Sequence, residues 1–125
     1  MASTTINNNQ RTFTASGTVG QYLAAALQSD GKVAVATNAV GTSQKVIGFT
    51  TVAASDGDAQ SVSIIGGGGT VFAKAKSVIT NAGTLVYPSD SGLVGTTATT
   101  NYTALGITLQ SAAANDVIEI LPLSL

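Results

Sequence analysis

The sequence contains no cysteine, no histidine and no tryptophan among its 125 residues. Without thiols and imidazoles the chain cannot form disulfides, bind metal through thiolate or imidazole ligands, or use imidazole as a catalytic base. Aromatic residues make up only 5% of the chain. The sequence therefore predicts no histidine- or cysteine-dependent enzyme, and we expect no cofactor.

Charge is scarce as well. Charged residues make up 9% of the chain, against roughly 25% in an average soluble protein. The net charge is -1 and the pI about 4.9, so the chain lacks the basic patch that nucleic-acid binding requires. Lys74 and Lys76 are the only clustered positive charges. Two lysines at this spacing are more typical of a solvated face than of a phosphate site. We predict no nucleic-acid partner.

Apolar residues are plentiful but are not arranged for a membrane. They form 44% of the chain, which has a mean hydropathy of +0.35, yet no stretch approaches the roughly 18 consecutive apolar residues of a membrane span. No basic segment followed by an apolar core begins the sequence, so we expect neither secretion through a signal peptide nor a membrane partner. Part of the apolar surface is instead expected to be buried between chains, which predicts an oligomer.

Three motifs resemble catalytic or binding sites and do not satisfy their requirements. Asp56 and Asp58 flank a glycine but lack the further oxygen ligands and terminal glutamate of a calcium loop, so they predict a turn. The run Gly66–Gly69 lacks the following lysine and hydroxyl residue of a phosphate loop and predicts a bulge or turn between strands. Asp116 and Glu119 lie at a spacing that puts them on opposite faces of a strand. We therefore predict that the protein is not an enzyme.

The chain repeats itself. Ile47–Ile64 returns as Leu105–Ile120, each copy reading as an apolar-glycine-apolar strand, a small-residue loop with a turn, and a second alternating strand. Matching pieces lie upstream of both copies at an offset of about 60 residues, so the duplication covers most of the chain. Its two copies span about 18–64 and 80–121. A unit of about 60 residues is marginal alone, which favours two similar halves sharing one core in a single domain, 13–125.

The local patterns favour strands throughout. Tyr22 to Gln28 contains good helix formers, but it stops at a Ser-Asp-Gly-Lys turn and is followed by the alternating strand 32–37, so a hairpin is the better interpretation. In the second copy Pro88 excludes a helix at the equivalent place. We predict an all-β fold, a compact β-barrel or a β-sandwich of tulip-like form, built from two similar halves.

The two ends of the chain are the candidate contact regions. Residues 1–12 offer almost nothing to bury and predict a flexible arm, which either stays disordered or lies across a partner. Its candidate contacts are Asn7, Asn8, Asn9 and Arg11. The C-terminus alternates apolar residues to its last position, which predicts that something covers it. The candidate subunit interface comprises Phe72, Leu121, Leu123 and Leu125.

The order of these signals, from Phe13-Thr14-Ala15-Ser16 through Val46-Ile47-Gly48-Phe49 and Ala82-Gly83-Thr84-Leu85-Val86 to Ala112–Ile120, resembles the small capsid decoration, or cement, proteins of tailed phages. The resemblance covers roughly residues 13–121. It implies an all-β homotrimer on the outside of an icosahedral head, made in the host cytoplasm, whose partners are its own copies and the major capsid protein. Its implied role is to lock neighbouring capsid subunits together at or near three-fold positions. The four consecutive glycines and the N-terminal arm depart from the family pattern.

An alternative is a head-fibre or adhesive module that binds carbohydrate on the host surface. Sugar sites usually present an aromatic platform beside amides or carboxylates. Tyr102, set in a loop of threonine and asparagine, is the aromatic residue that best fits an exposed platform.

Overall fold

The fold consists of short strands joined by turns and loops. A computed structural model of the chain describes residues 10–37, 45–65, 69–97 and 104–122. Its strands are β1 Gln10–Thr14, β2 Ala24–Leu27, β3 Val33–Val35, β4 Lys45–Thr50, β5 Ala59–Ile64, β6 Val71–Lys74, β7 Leu85–Pro88, β8 Val94–Gly95, β9 Gly106–Thr108 and β10 Val117–Pro122. Within those ranges the helical content is a single 3-10 turn, Asp90–Gly92. The prediction of an all-β fold is confirmed.

The strands form two curled antiparallel sheets of five strands each. The first sheet has the order β1-β5-β4-β2-β3 and the second has the order β6-β10-β9-β7-β8. The two orders are the same once β1 to β5 are matched in sequence with β6 to β10. Each sheet is built from one continuous half of the chain, and the predicted hairpin is present as the antiparallel pair β2–β3.

Individual bridges and hydrogen bonds within the first half of the chain recur at the matching places in the second half. Ala15 bridges Val33 as Ala75 bridges Val94, and the bridge between Val19 and Ala54 recurs between Ile79 and Ala112. Two buried hydroxyl groups also correspond. Thr50 Oγ1 donates to Gly20 O at 2.6 Å and accepts from Leu23 N–H, while Thr108 Oγ1 donates to Asn81 O at 3.3 Å and accepts from Thr84 N–H. This residue-by-residue correspondence allows each position of one sheet to be compared with its counterpart in the other.

A glycine at the same place in each sheet explains the apolar-glycine-apolar motif. A Cβ atom added to Gly48 would collide with the backbone carbonyl of Ser63, and one added to Gly106 would lie 2.5 Å from the carbonyl oxygen of Leu121. Real side chains do not approach backbone oxygens so closely, so both positions require glycine for packing. The motif marks the points where two neighbouring strands come too close for a side chain.

The main hydrophobic core joins both sheets. The inner face of the second sheet contributes most of it, including Ile118 and Ile120, which are almost fully buried. The first sheet adds Ala24, Ala26, Ala36 and Phe49 to this same cluster. A smaller cluster of Ala25, Val33 and Val62 lies on the opposite face of the first sheet. The first sheet is therefore packed on both faces.

The predicted arm boundary differs from the structure. Gln10, Arg11 and Thr12 pair with Ser63, Val62 and Ser61 in the first sheet, so these three residues belong to β1 and not to an arm. Alternation of Arg11 with Phe13 explains the difference, because the two side chains share one face of the strand and the guanidinium lies 5.5 Å from the ring centre. Residues 1–9, with Asn7, Asn8 and Asn9, lie outside the described residues.

Candidate interaction surfaces

One face of the first sheet is covered by the second half of the chain. Ala24 and Phe49 lie on this face and are 0% and 1% exposed. The cover is formed by β6, while the 3-10 turn packs at the β3 edge of the sheet, where Gly92 lies against Leu23 and Val35. Lys74 N–H donates to the carbonyl oxygen of Tyr22 at 3.2 Å, and Gly92 N–H donates to that of Ala36 at 2.8 Å. These hydrogen bonds hold the second half of the chain against the first.

A cleft of about 330 Å³ lies at this junction. It is lined by Gln10, Tyr22, Phe49, Thr50, Thr51, Ser63, Thr70, Val71 and Phe72. The rings of Tyr22 and Phe72 meet at 6.0 Å between centroids and are tilted by 59°. Tyr22 has a φ of 62°, and Gly83 occupies the equivalent position of the second sheet with a φ of 80°. An aromatic residue in this left-handed conformation is uncommon and strained, so the tyrosine side chain is held here by its surroundings.

The equivalent face of the second sheet is open. Leu85 lies directly opposite Ile107, and Ile107 lies directly opposite Leu121 on the next strand. Phe72 shares the face, since it pairs with Glu119, which alternates with Leu121 along β10. We call these four apolar side chains, Phe72, Leu85, Ile107 and Leu121, the outer face of the second sheet. Phe72, Leu85 and Leu121 are 52%, 44% and 42% exposed.

The outer face carries charges of both signs, Glu119 on β10 and Lys74, which alternates with Phe72 on β6. The Glu119 carboxylate accepts a hydrogen bond from Thr70 Oγ1. Lys76 Nζ forms an exposed ion pair with Asp90 at 2.9 Å. The Lys76 hydrogen bond lowers the pKa of Asp90, and the Lys76 charge adds to the effect. A lowered pKa means that any stabilisation from this pair is present at neutral pH and is lost as the pH falls through the titration of Asp90. Solvent screening makes this contribution small.

The structure places two of the four predicted interface residues together. Phe72 and Leu121 lie on the outer face of the second sheet, whereas Leu123 and Leu125 lie outside the described residues. Tyr102, the residue proposed for sugar binding, also lies outside them. Among the predicted arm contacts, Arg11 is described, as an exposed residue of β1.

The acidic residues considered as sites have local roles. Asp56 Oδ1 accepts from Gly17 N–H at 2.8 Å, and Asp58 N–H closes the predicted turn by donating to Ser55 O. Asp116 Oδ2 accepts from Ala113 N–H within its own turn. In the part of the chain that is described, no three potential ligands gather for a metal ion, and no helix has the length and apolar character needed to cross a membrane.

Leu85, Ile107 and Tyr22 were not predicted as surface residues from the sequence. The internal duplication contained a signal for Leu85 and Ile107. Leu85 corresponds to the buried Ala24 and Ile107 to the buried Phe49, so a large apolar residue on an open face stands where a covered residue stands in the other half. The tyrosine had no such signal, because its backbone conformation is set by the fold.

The architecture defines an all-β domain of two curled five-stranded antiparallel sheets that present an apolar face. No known family profile matches the sequence, and no curated protein matches it. Among solved structures, the chain is similar to the N base of the head fibre gp8.5 of bacteriophage phi29. The TM-score is 0.67 at 18% identity, and the match covers 91% of this chain and 92% of that chain. At this identity the likeness concerns the fold.

Proposed function

We propose that the chain is a structural virion protein that binds the outer surface of a phage head as a homotrimer and holds neighbouring major capsid subunits together. The observation that carries the proposal is the likeness in fold to a head fibre base over nearly the whole of both chains. The sequence resemblance to capsid decoration proteins is a separate observation and also supports a structural protein of the phage head.

The surface of the protein suits this role. A protein that binds by contact alone needs apolar area and open backbone edges, and both are present in the outer face of the second sheet and in the edge strand β1. Three equivalent contacts in a trimer would add their effects through high effective concentration, so each contact can be weak. Binding to the assembled shell and not to free subunits then stabilises the shell by mass action. In this proposal the protein acts by binding and not by catalysis.

The proposal is tested by light scattering and by binding to empty phage heads that lack the protein. We expect a particle of three times 12.3 kDa in solution that sediments with the heads and raises the temperature at which they come apart. A protein that leaves head stability unchanged at saturating concentration would contradict the cementing role.

Removal of residues 1–9 tests the arm. We expect the native mass and the melting temperature to stay unchanged, because the deletion ends before β1 and leaves its pairing with β5 intact. We expect head binding to weaken at least tenfold, with the triple variant Asn7→Ala, Asn8→Ala, Asn9→Ala giving a smaller loss in the same direction. A truncated protein that falls to monomers would assign residues 1–9 to the subunit interface instead.

Carbohydrate binding at the cleft is a second candidate. The cleft combines two aromatic rings with an amide and several hydroxyl groups, which is the chemistry that sugar sites use. Titration with simple hexoses, followed by NMR, would show shifts confined to the cleft and lost in Phe72→Ala. Saturating sugar without shifts in the wild-type protein would exclude this candidate.

A further inference from the structure

The structure offers a direct comparison between a covered face and an open one. In the first sheet, Ala24 and Phe49 are buried where β6 of the second half packs on the sheet, and the 3-10 turn packs against Leu23 and Val35 at the β3 edge. In the second sheet, Leu85 and Ile107 occupy the same two positions and nothing in the described chain covers Leu85. The two sheets share strand order and register, so the cover on the first sheet indicates the shape of the missing cover on the second.

The piece that would form this cover exists in the first half of every chain. The counterpart of β6 is β1, which is an edge strand of the first sheet. The counterpart of the 3-10 turn is the turn 28–32, since Gln28 N–H bonds Lys32 O as Ser89 N–H bonds Leu93 O. Within one chain this turn is open, because a Cβ atom added to Gly31 meets no atom within 4 Å. The corresponding Gly92 is packed so tightly that an added Cβ would lie 2.8 Å from Leu23 Cβ.

We propose that copies of this chain join head to tail, with β1 of one copy on the outer face of the second sheet of the next and the turn 28–32 of the first copy at the β8 edge of that sheet. The contact between copies then repeats the contact between the two halves of one chain. It rests on the self-association in the proposed function but does not depend on capsid binding.

The outer face of the second sheet carries charges of both signs, Glu119 on β10 and Lys74 on β6, so the choice of partner rests on the correspondence between the two sheets and not on charge. The counterpart of Val71 on β1 is Arg11, an exposed residue. The hydrogen bond from Gly92 N–H to Ala36 O has no equivalent in the contact between copies, since Gly31 N–H already donates to Gln28 O.

The pairing is heterologous, so it has a definite geometric consequence. Each copy offers one outer face and one β1 edge. An open row of copies therefore has a free outer face at one end and a free β1 edge at the other. The row ends only when it closes into a ring. The homotrimer of the proposed function corresponds to closure after three chains, which would make a ring of six sheets with the same strand order.

Cross-linking tests the partner directly, because the native chain has no cysteine. The counterpart of Leu23 is Thr84, so the proposed contact brings Gly31 of one copy beside Thr84 of the next. Disulfides need Cβ atoms about 3.5–4.5 Å apart. We expect a mixture of the single variants Gly31→Cys and Thr84→Cys to form a disulfide-linked dimer under mild oxidation, and neither variant alone to do so. The double variant should form covalent species that stop at three chains.

Matched controls separate the outcomes. Val78→Cys, on an exposed apolar residue that is not part of the outer face, should not cross-link with Gly31→Cys. Leu85→Lys should lower the native mass to that of a folded monomer, whereas Val78→Lys should leave the native mass unchanged. A dimer formed by Thr84→Cys alone would show face-to-face pairing and overturn the proposal, as would a wild-type monomer. A ring that fails to bind phage heads would contradict the proposed function and leave this contact standing.

Discussion

Gly48→Ala is expected to remove a large part of the stability of the protein. The added Cβ would collide with the carbonyl of Ser63, which is held in the pairing of β4 with β5. A backbone carbonyl cannot rotate away as a flexible side chain can, so the two strands must separate. We expect a loss on the order of 4 kcal/mol, which is a large part of the 5–15 kcal/mol that stabilises an ordinary domain. Thermal unfolding followed by circular dichroism should show a melting temperature lower by about 15 °C, or no transition at all.

The second half of the chain provides both a replicate and a control. Gly106→Ala should behave like Gly48→Ala, since its added Cβ meets the carbonyl of Leu121 and a methyl group of Ile120. Gly95→Ala changes another strand glycine, but its nearest neighbour is a Ser89 side chain at 3.6 Å, an ordinary contact. The control should melt within a few degrees of the wild type. Equal melting temperatures for Gly48→Ala and Gly95→Ala would show that the two strands are not so close.

Gly92→Ala is expected to loosen one half of the chain from the other. Its φ of 75° is strained for alanine, and the added Cβ would lie 2.8 Å from both Leu23 Cβ and Val35 Cγ1. The 3-10 turn must then move off the first sheet and give up the bond from Gly92 N–H to Ala36 O. We expect a loss of about 3 kcal/mol, of which roughly 1 kcal/mol is backbone strain.

The strain can be measured separately. Gly57→Ala has the same problem of positive φ, at 85°, but an added Cβ meets no atom within 4 Å. Gly57→Ala should cost about 1 kcal/mol, so the difference between the two variants reports the contact between the halves. If the contact with Leu23 holds the 3-10 turn in place, hydrogen exchange at the Gly92 amide should be faster in a Leu23→Ala variant than in the wild type. Equal losses for Gly57→Ala and Gly92→Ala would place the turn away from the first sheet.

Much of the fold could be predicted because its signals are local. Period-two alternation, the turn after Gln28 and the proline at the end of β7 all act within a few residues, and they identify strands without reference to the rest of the chain. The repeated glycine at Gly48 and Gly106 also stood out in the sequence, although its reason is a close approach of two strands distant in the chain.

The surfaces could not be predicted in the same way, because they depend on how the two halves meet. Ala24 and Leu85 occupy equivalent strand positions, yet one is buried and the other open, and alternation is the same for both. The limit of the predicted arm was misplaced for a related reason. Gln10 to Thr12 read as polar and exposed, but they gain their strand conformation from pairing with β5, about 50 residues away.

The separation of the two sheets along the chain has a consequence for biosynthesis. Every strand of the first sheet lies within residues 10–64, and every strand of the second lies within 71–122. A ribosome releases the N-terminal half first, at about 5–20 residues per second, so the first sheet can assemble while its Ala24 and Phe49 face still awaits β6. For those seconds the nascent chain exposes an apolar surface that fits the second half of another chain whose own two halves have not yet packed together. Crowded polysomes thus favour premature capture between chains, and slow translation after residue 64 would lengthen that vulnerable interval.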